Sequence, residues 1–177
     1  MPELTEPTTD VHASFLTAMG EFAAEGRGAA TDRTSMGSAL RAYGQRWHDP
    51  AVFARHVAEL RAEARAPARD GFVRCTTLWY LEAANYLGRI AIRHELNDFL
   101  RDYGGHIGYD VRPAARRRGH ATAMLRAALP RARYLGLGSV LVTCDTDNIA
   151  SRRVIENCGG LLEDRRGAKL RYWIATD

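Results

Sequence analysis

The amino-acid sequence predicts an α+β fold, a central mixed sheet flanked by helices, in a single domain over residues 1–177. Three observations predict it. Two stretches in the first third carry apolar residues at helical spacing. Two adjacent stretches after them alternate as strands. The remainder alternates strand and helix patterns in the order β-α-β-α-β-β.

Residues 1–8 read as a loose lead or a short first strand. Val11, Phe15, Met19 and Phe22 mark one face of a helix over residues 9–26, which Thr8, Thr9 or Asp10 can cap. Glu25-Gly26-Arg27-Gly28 ends it. Residues 27–48 are polar and read as a loop with one helical turn near residues 38–43. Asp49-Pro50 starts a second helix, because aspartate caps and proline suits the first turn. Phe53, His56, Val57 and Leu60 carry it to about Arg65. Residues 66–71 form a turn. Two strands in hairpin arrangement follow, near residues 73–82 and 86–95. Residues 97–104 form a polar helical turn with Phe99, Leu100 and Tyr103 packing back.

The stretch Gly105 to Ala121 organises the rest. Ile107, Tyr109 and Val111 alternate as a strand, and Pro113 stops it because proline cannot donate to a ladder. Arg116-Arg117-Arg118-Gly119 is a short basic loop. Ala121, Met124, Leu125, Ala128 and Leu129 then give a helix one apolar face. Pro130 should kink that helix or split off its last turn. A strand, a basic glycine-containing loop and a helix start make an anion cradle: first-turn N–H groups lack intrahelical partners, and the helix dipole adds positive potential. A diphosphate suits such a site. Residues 140–144 form a short buried strand. Asn148 caps a helix over residues 149–157 that Gly159-Gly160 stops, and strands near residues 160–164 and 170–175 complete the sheet.

Composition narrows the function classes. The hydrophobic fraction of 46% and charged fraction of 26% are those of an ordinary globular protein. No apolar run reaches the length of a membrane span, and the acidic start is unlike a signal peptide, so a cytoplasmic protein with no membrane partner is expected. The net charge is +4, but the arginines scatter along the chain apart from residues 116–118, which argues against nucleic acid. Cys75, Cys144 and Cys158 form neither a disulfide framework nor a metal site, and no metal is expected.

Arg116-x-x-Gly119-x-Ala121 fits the pattern Gln/Arg-x-x-Gly-x-Gly/Ala of the acetyl-CoA loop in the GNAT superfamily of N-acetyltransferases. The order of elements around it is the GNAT order, and Asn148-Ile-Ala-Ser151 through Gly159 resembles that superfamily's Asn-led helix. More narrowly, Arg93-His94-Glu95-Leu96-Asn97, Gly104-Gly105-His106-Ile107-Gly108-Tyr109, Val111-Arg112-Pro113 and Thr143-Cys144-Asp145 resemble a bacterial subfamily of predicted acetyltransferases. The resemblance covers roughly residues 72–175. It implies a splayed sheet, acetyl-CoA as co-substrate, and a pantetheine arm lying between strands that end at Val111 and Cys144. It implies pairing of that arm with Tyr109, Asp110 and Val111, and a diphosphate on Arg117, Arg118, Gly119, His120, Ala121 and Thr122. Arg116 opens the loop, and Asn148 and Ser151 border the arm from the other side.

The implied reaction is acyl transfer from a thioester to an amine. An alkyl amine of pKa about 10.4 is almost wholly protonated at pH 7, so a base, or water leading to one, is useful. His94, Glu95 and His106 are the candidates, and a histidine titrates in the right range. The superfamily's usual tyrosine acid falls at Ile155, which cannot give a proton; Tyr109, Tyr103 or water are the alternatives. Trp47, Trp79, Tyr80 and Tyr103 are candidates for an aromatic wall, with core packing the simpler role for Trp79. A small-molecule amine is the expected acceptor, and oligomeric state is open, a homodimer among the options. The alternative function is a non-catalytic acyl-CoA-binding sensor or scaffold.

Overall fold

A computed structural model describes all 177 residues. The seven strands are β1 (Glu3–Thr5), β2 (Cys75–Glu82), β3 (Asn85–Arg93), β4 (Ile107–Val111), β5 (Ser139–Asp145), β6 (Leu161–Arg166) and β7 (Lys169–Ala175). They form one sheet in the order β1-β2-β3-β4-β5-β7-β6. Every neighbouring pair is antiparallel except β4 and β5, which makes the sheet mixed. Five α-helices flank it: α1 (His12–Ala24), α2 (Ser35–Ala42), α3 (Pro50–Ala62), α4 (His120–Tyr134) and α5 (Ile149–Asn157).

Strand alternation divides the apolar residues into two cores. Along β2, Trp79 and Leu81 join Phe15, Met19, Phe22, Met36, Trp47, Phe53 and Val57 beneath α1, α2 and α3. Leu78 and Tyr80 point the other way and join Ile90, Ile92, Ile107, Met124, Leu125, Val142 and Ile155 beneath α4 and α5. The sheet is thus covered on both faces over its middle. No helix is long and apolar enough to cross a membrane.

Of the two readings of the lead, the short strand holds, because Glu3, Leu4 and Thr5 pair with Leu81, Tyr80 and Trp79 of β2. Three elements differ from expectation. Residues 27–48 hold a full helix, α2, and a 3₁₀ segment, Gly44–His48. Thr34 caps α2 by accepting from the Gly37 N–H at 3.0 Å, and Met36 and Trp47 anchor the stretch in the core. Pro130 does not break α4, which runs unbroken to Tyr134; buried Ala128 and Ala132 hold the turns on either side of it against the sheet. Residues Leu100–Gly104 form a π-helical turn in which only Leu100 packs back, while Phe99 and Tyr103 are exposed with rings 5.8 Å apart. Of the suggested aromatic wall, Trp47 and Tyr80 are core residues instead, and Trp79 packs in the core as expected.

Candidate active site

The seam between β4 and β5 holds one registered residue pair, Ile107 with Val142. Before that pair the strands are pinched together. The His106 N–H donates to the Leu141 carbonyl at 2.7 Å, and the Leu141 N–H donates to His106 Nδ1 at 2.9 Å. Gly105 makes the approach feasible: its φ is +65°, and a Cβ there would stand 2.6 Å from the Leu141 oxygen. Thr143 Oγ1 adds a bond to the Tyr103 carbonyl at 2.6 Å. Beyond the pair the strands part.

The open end of β4 presents free backbone groups to that gap. Asp110 and Gly108 sit opposite Arg89 and Ala91 of β3, and the Arg112 N–H donates to Leu87 at 2.9 Å. Antiparallel alternation then turns the Tyr109 and Val111 backbone groups away from β3, toward β5. The Val111 carbonyl is taken by Arg116 Nε at 3.1 Å. Across the gap stands α5, capped by Asn148, whose Oδ1 accepts from the Ser151 N–H at 3.0 Å. The Tyr109 hydroxyl bridges to Ser151 Oγ at 2.7 Å. Burial pushes the Tyr109 phenol well above its ordinary pKa, against the lowering effect of Ser151, so the hydroxyl keeps its proton.

At the same end lies the cradle. Arg117 and Gly119 both adopt left-handed conformations, with φ of +64° and +80°. Nothing crowds Gly119, so glycine is favoured there by backbone conformation rather than by space. Helix α4 starts at His120 with no side-chain cap. The N–H groups of residues 117–122 find no acceptor within the chain, and the first intramolecular bond is Ala123 N–H to the Gly119 carbonyl at 3.0 Å. Consecutive free N–H groups at a helix start, with exposed Arg117 and Arg118 beside them, suit an anion. The His120 ring packs edge-on to Tyr80, 5.7 Å between centroids, so its backbone rather than its imidazole faces the cradle's chemistry.

Three ion pairs hold the cradle and β4 to the end of α1. Glu21 grips Arg112 and also accepts from the Ala114 N–H at 3.0 Å, and the Arg112 bonds hold its carboxyl below the usual range. Glu25 grips Arg116 through two bonds of 2.7 and 2.8 Å. Arg27 reaches Asp110 at 3.1 Å and Asp32 at 2.9 Å. Burial opposes ionisation of Asp32, but bonds from Thr34, Gly28 and Arg27 outweigh it and hold the carboxyl far below its ordinary pKa. The side chains of Asp110 and Arg116 are therefore committed to the α1 side, while the Asp110 backbone faces β3 and the Arg116 N–H donates to the Pro113 carbonyl at 3.2 Å. From the sequence, no part in the site was expected of Glu21, Glu25 and Arg27. A signal existed: Glu21 and Glu25 are spaced by four, as are their partners Arg112 and Arg116.

The three base candidates do not converge on the gap. His106 is buried, and its Nδ1 is occupied by the Leu141 N–H, so in the neutral ring the proton sits on Nε2 and no lone pair is open. Burial, helped by the charges of Arg93 and Arg101, lowers its pKa to about 4. The geometry makes it a strut. His94 follows β3 but turns back to β2, its Nε2 2.8 Å from Thr76 Oγ1 and its N–H on the Arg74 carbonyl at 2.9 Å. Its pKa is lowered by burial first and by Arg74 second. Glu95 is exposed at the bend after β3. Ile155, at the position of the expected tyrosine, is wholly buried in the core. Gly160 follows for a steric reason, since a Cβ there would stand 2.5 Å from Ile155 Cγ2.

The comparisons with known proteins agree with this architecture. A family model for an acetyltransferase (GNAT) domain matches residues 23–160. No curated protein matches the sequence. Among solved structures, RimJ of Mycobacterium smegmatis, in complex with CoA-disulfide, superposes with a TM-score of 0.69 at 19% identity, covering 98% of this chain and 81% of that one. The microcin C7 self-immunity acetyltransferase MccE, solved with acetyl-CoA and AMP, gives 0.66 at 11% identity, covering 98% and 92%. RimL, a ribosomal L7/L12 alpha-N-protein acetyltransferase, gives 0.62 at 13% identity, covering 98% and 90%. At such identities the likeness is one of fold.

Proposed function

The chain belongs to the GNAT acetyltransferase family, and from that premise we propose that it transfers an acetyl group from acetyl-CoA to a primary amine of a small molecule, as one unit spanning residues 1–177. The observation that carries the reading is the β4–β5 seam, closed by a single registered pair and opening onto the free N–H groups of residues 117–122. The residues present fit the co-substrate. A row of backbone donors suits its diphosphate, and the unpaired edge of Tyr109 and Val111 suits its amide-bearing arm. Related structures solved with acetyl-CoA or CoA support the same fit. When bound, acetyl-CoA supplies the activated acyl group for direct attack by the amine in a ternary complex.

The chain's own residues then hold and move protons. The Tyr109 hydroxyl, oriented by Ser151, stands in the gap with its proton retained, and takes the donor role that Ile155 cannot fill. The Tyr109 and Val111 N–H groups are the backbone donors on the gap side of β4. Asn148 fixes Ser151 by capping α5. His106 serves as a strut, and Thr76 holds His94 by its Nε2. Glu95 alone of the three base candidates has no hydrogen-bond or ion-pair partner in the chain, so it is the group assigned to take the amine's proton through water. A peptide α-amine is the second reading for the acceptor, because RimL, of the same fold, is described as an alpha-N-protein acetyltransferase.

The test is calorimetric titration with acetyl-CoA, then a free-thiol assay across amines and short peptides. Micromolar binding with thiol release on small amines is the expected outcome. Release only with peptides moves the assignment to the second reading, and binding without release across both panels favours an acyl-CoA sensor. Glu95→Gln should lower kcat about tenfold while leaving acetyl-CoA affinity unchanged. An unchanged kcat would assign proton removal to solvent.

A further inference from the structure

Away from the gap, between the N-terminal helices and the β2–β3 hairpin, lies a second feature. A cavity there is lined by Phe15, Trp47, His56, Trp79, Tyr86 and Arg89, among others. Four buried side-chain polar atoms in the whole molecule lack a hydrogen-bond partner, and three belong to this lining: Trp47 Nε1, Tyr86 OH and Arg89 Nε. Trp47 and Tyr86 are 1% and 0% exposed, so water at the surface does not satisfy them. A buried polar group left alone costs about 1–3 kcal/mol, and three around one cavity call for a common guest.

Charge and size define that guest. The Trp47 and Arg89 groups can only donate, and Tyr86 can donate. Arg89 takes part in none of the ion pairs of the molecule. Its charge nevertheless acts into the cavity, where burial first and Arg89 second lower the pKa of His56 to about 4 and keep that ring neutral. Glu63 is near enough to feel Arg89 but is not paired with it, and burial raises its carboxyl pKa. About 220 Å³ of empty space lies here, partly continuous with solvent, but its centre has room for about one water-sized sphere. Sulfate, phosphate or a substrate carboxylate with its attached carbon does not fit that centre. A water fits and would meet the hydrogen bonds, but only an anion would also set negative charge against Arg89 Nε, the buried and unpaired part of a half-buried guanidinium. A single-atom anion meets both needs, and the apolar walls suit a weakly hydrated one.

We infer that this cavity is a binding site for a small monovalent anion of halide type, held by Trp47 Nε1–H, Tyr86 O–H and Arg89 Nε–H. The anion joins the Trp47 segment to β3, and so fastens the N-terminal helical layer to the sheet. It is independent of acyl transfer. The experiment uses the purified full chain. Thermal unfolding is followed in sodium chloride and in sodium gluconate at matched ionic strength, and crystals grown in sodium bromide are measured at the bromine edge. The expected results are a saturable chloride-dependent rise in Tm absent in gluconate, an apparent affinity at least tenfold weaker in Arg89→Gln, and one anomalous peak among Trp47, Tyr86 and Arg89. Coincident salt curves, together with a water or no density at that position in bromide, would overturn the inference. Should Arg89→Gln fail to fold, the bromide peak on the unaltered chain decides the matter.

Discussion

The two ends of β4, a strand of five residues, are opposite in behaviour. At the closed end, a positive-φ glycine and a buried histidine bind β5 through both backbone and imidazole. At the open end, Tyr109 and Val111 leave the shared edge unpaired, and the chain turns away into the basic loop. The difference shows how a sheet is wedged open without being unzipped. A side-chain bond one residue earlier backs the single registered pair, Ile107 with Val142, so the ladder can stop abruptly after it. The free edge beyond it is then available to a ligand while the core beneath stays intact.

Breaking the open end should have the largest effect. Gly119→Asp forces a side chain onto a φ of +80° and adds negative charge among the free N–H groups. Acetyl-CoA affinity should fall by roughly 100-fold or more by calorimetry, as several charge-assisted bonds of about 1.5–3 kcal/mol each are at stake. Retained affinity would remove the cradle from the site.

Tyr109→Phe sharpens the comparison by separating chemistry from binding. It deletes only the hydroxyl bonded to Ser151. Steady-state kinetics should show kcat lower by about 10²-fold with acetyl-CoA affinity within a factor of two. Equal losses in both would mean that the hydroxyl merely shapes the gap.

The closed end answers to pH. His106 has its folded pKa lowered from 6.5 to about 4, and His56 in the N-terminal core is lowered likewise. A depressed folded pKa means the unfolded state binds protons first. The stabilisation is therefore complete above pH 6.5 and is lost as pH falls toward 4, on the order of 2 kcal/mol per histidine at pH 4.5. Urea unfolding between pH 7 and pH 4.5 measures the sum, and His106→Asn should flatten part of the slope. A slope untouched by that change would deny the strut its role.

The smallest effect is expected from Arg116→Ala. Its guanidinium is engaged by Glu25 in a partly exposed pair, so it positions the loop and does not hold the ligand. Acetyl-CoA affinity should weaken less than about fivefold, in keeping with the modest worth of exposed pairs. A loss as large as that of Gly119→Asp would mean the arginine leaves Glu25 to bind phosphate.

Much of this was legible from local patterns. The strand Ile107–Val111, the loop Arg116–Gly119 and the helix after it were all readable, because alternation, a chain break at Pro113 and 3.6-residue spacing are written in neighbouring residues. So was the cap at Asn148. The helix over Ser35–Ala42 was legible only as one turn near residues 38–43, because Met36 is its one large buried residue and makes no apolar pattern by itself. The core roles of Trp47 and Tyr80 were hidden for a related reason: an aromatic residue reads alike in a wall and in a core.

By itself the sequence determined the order of elements, the position of the anion cradle and the likeness to an acyltransferase family. Each depends on residues close together in the chain, where spacing alone sets geometry. Tertiary structure decided which reactive groups are free. His106 looked fit to take a proton until the Leu141 N–H was found on its Nδ1, and His94 has its Nε2 held against Thr76. Arg116 looked like a ligand until Glu25 claimed its guanidinium from more than eighty residues away, and Asp110 until β3 claimed its backbone and Arg27 its carboxylate. The Tyr109 hydroxyl is held by Ser151, 42 residues further along the chain. Whether a lone pair or a proton is available depends on its nearest partner in space, and a partner that distant in the chain leaves no mark on the local pattern.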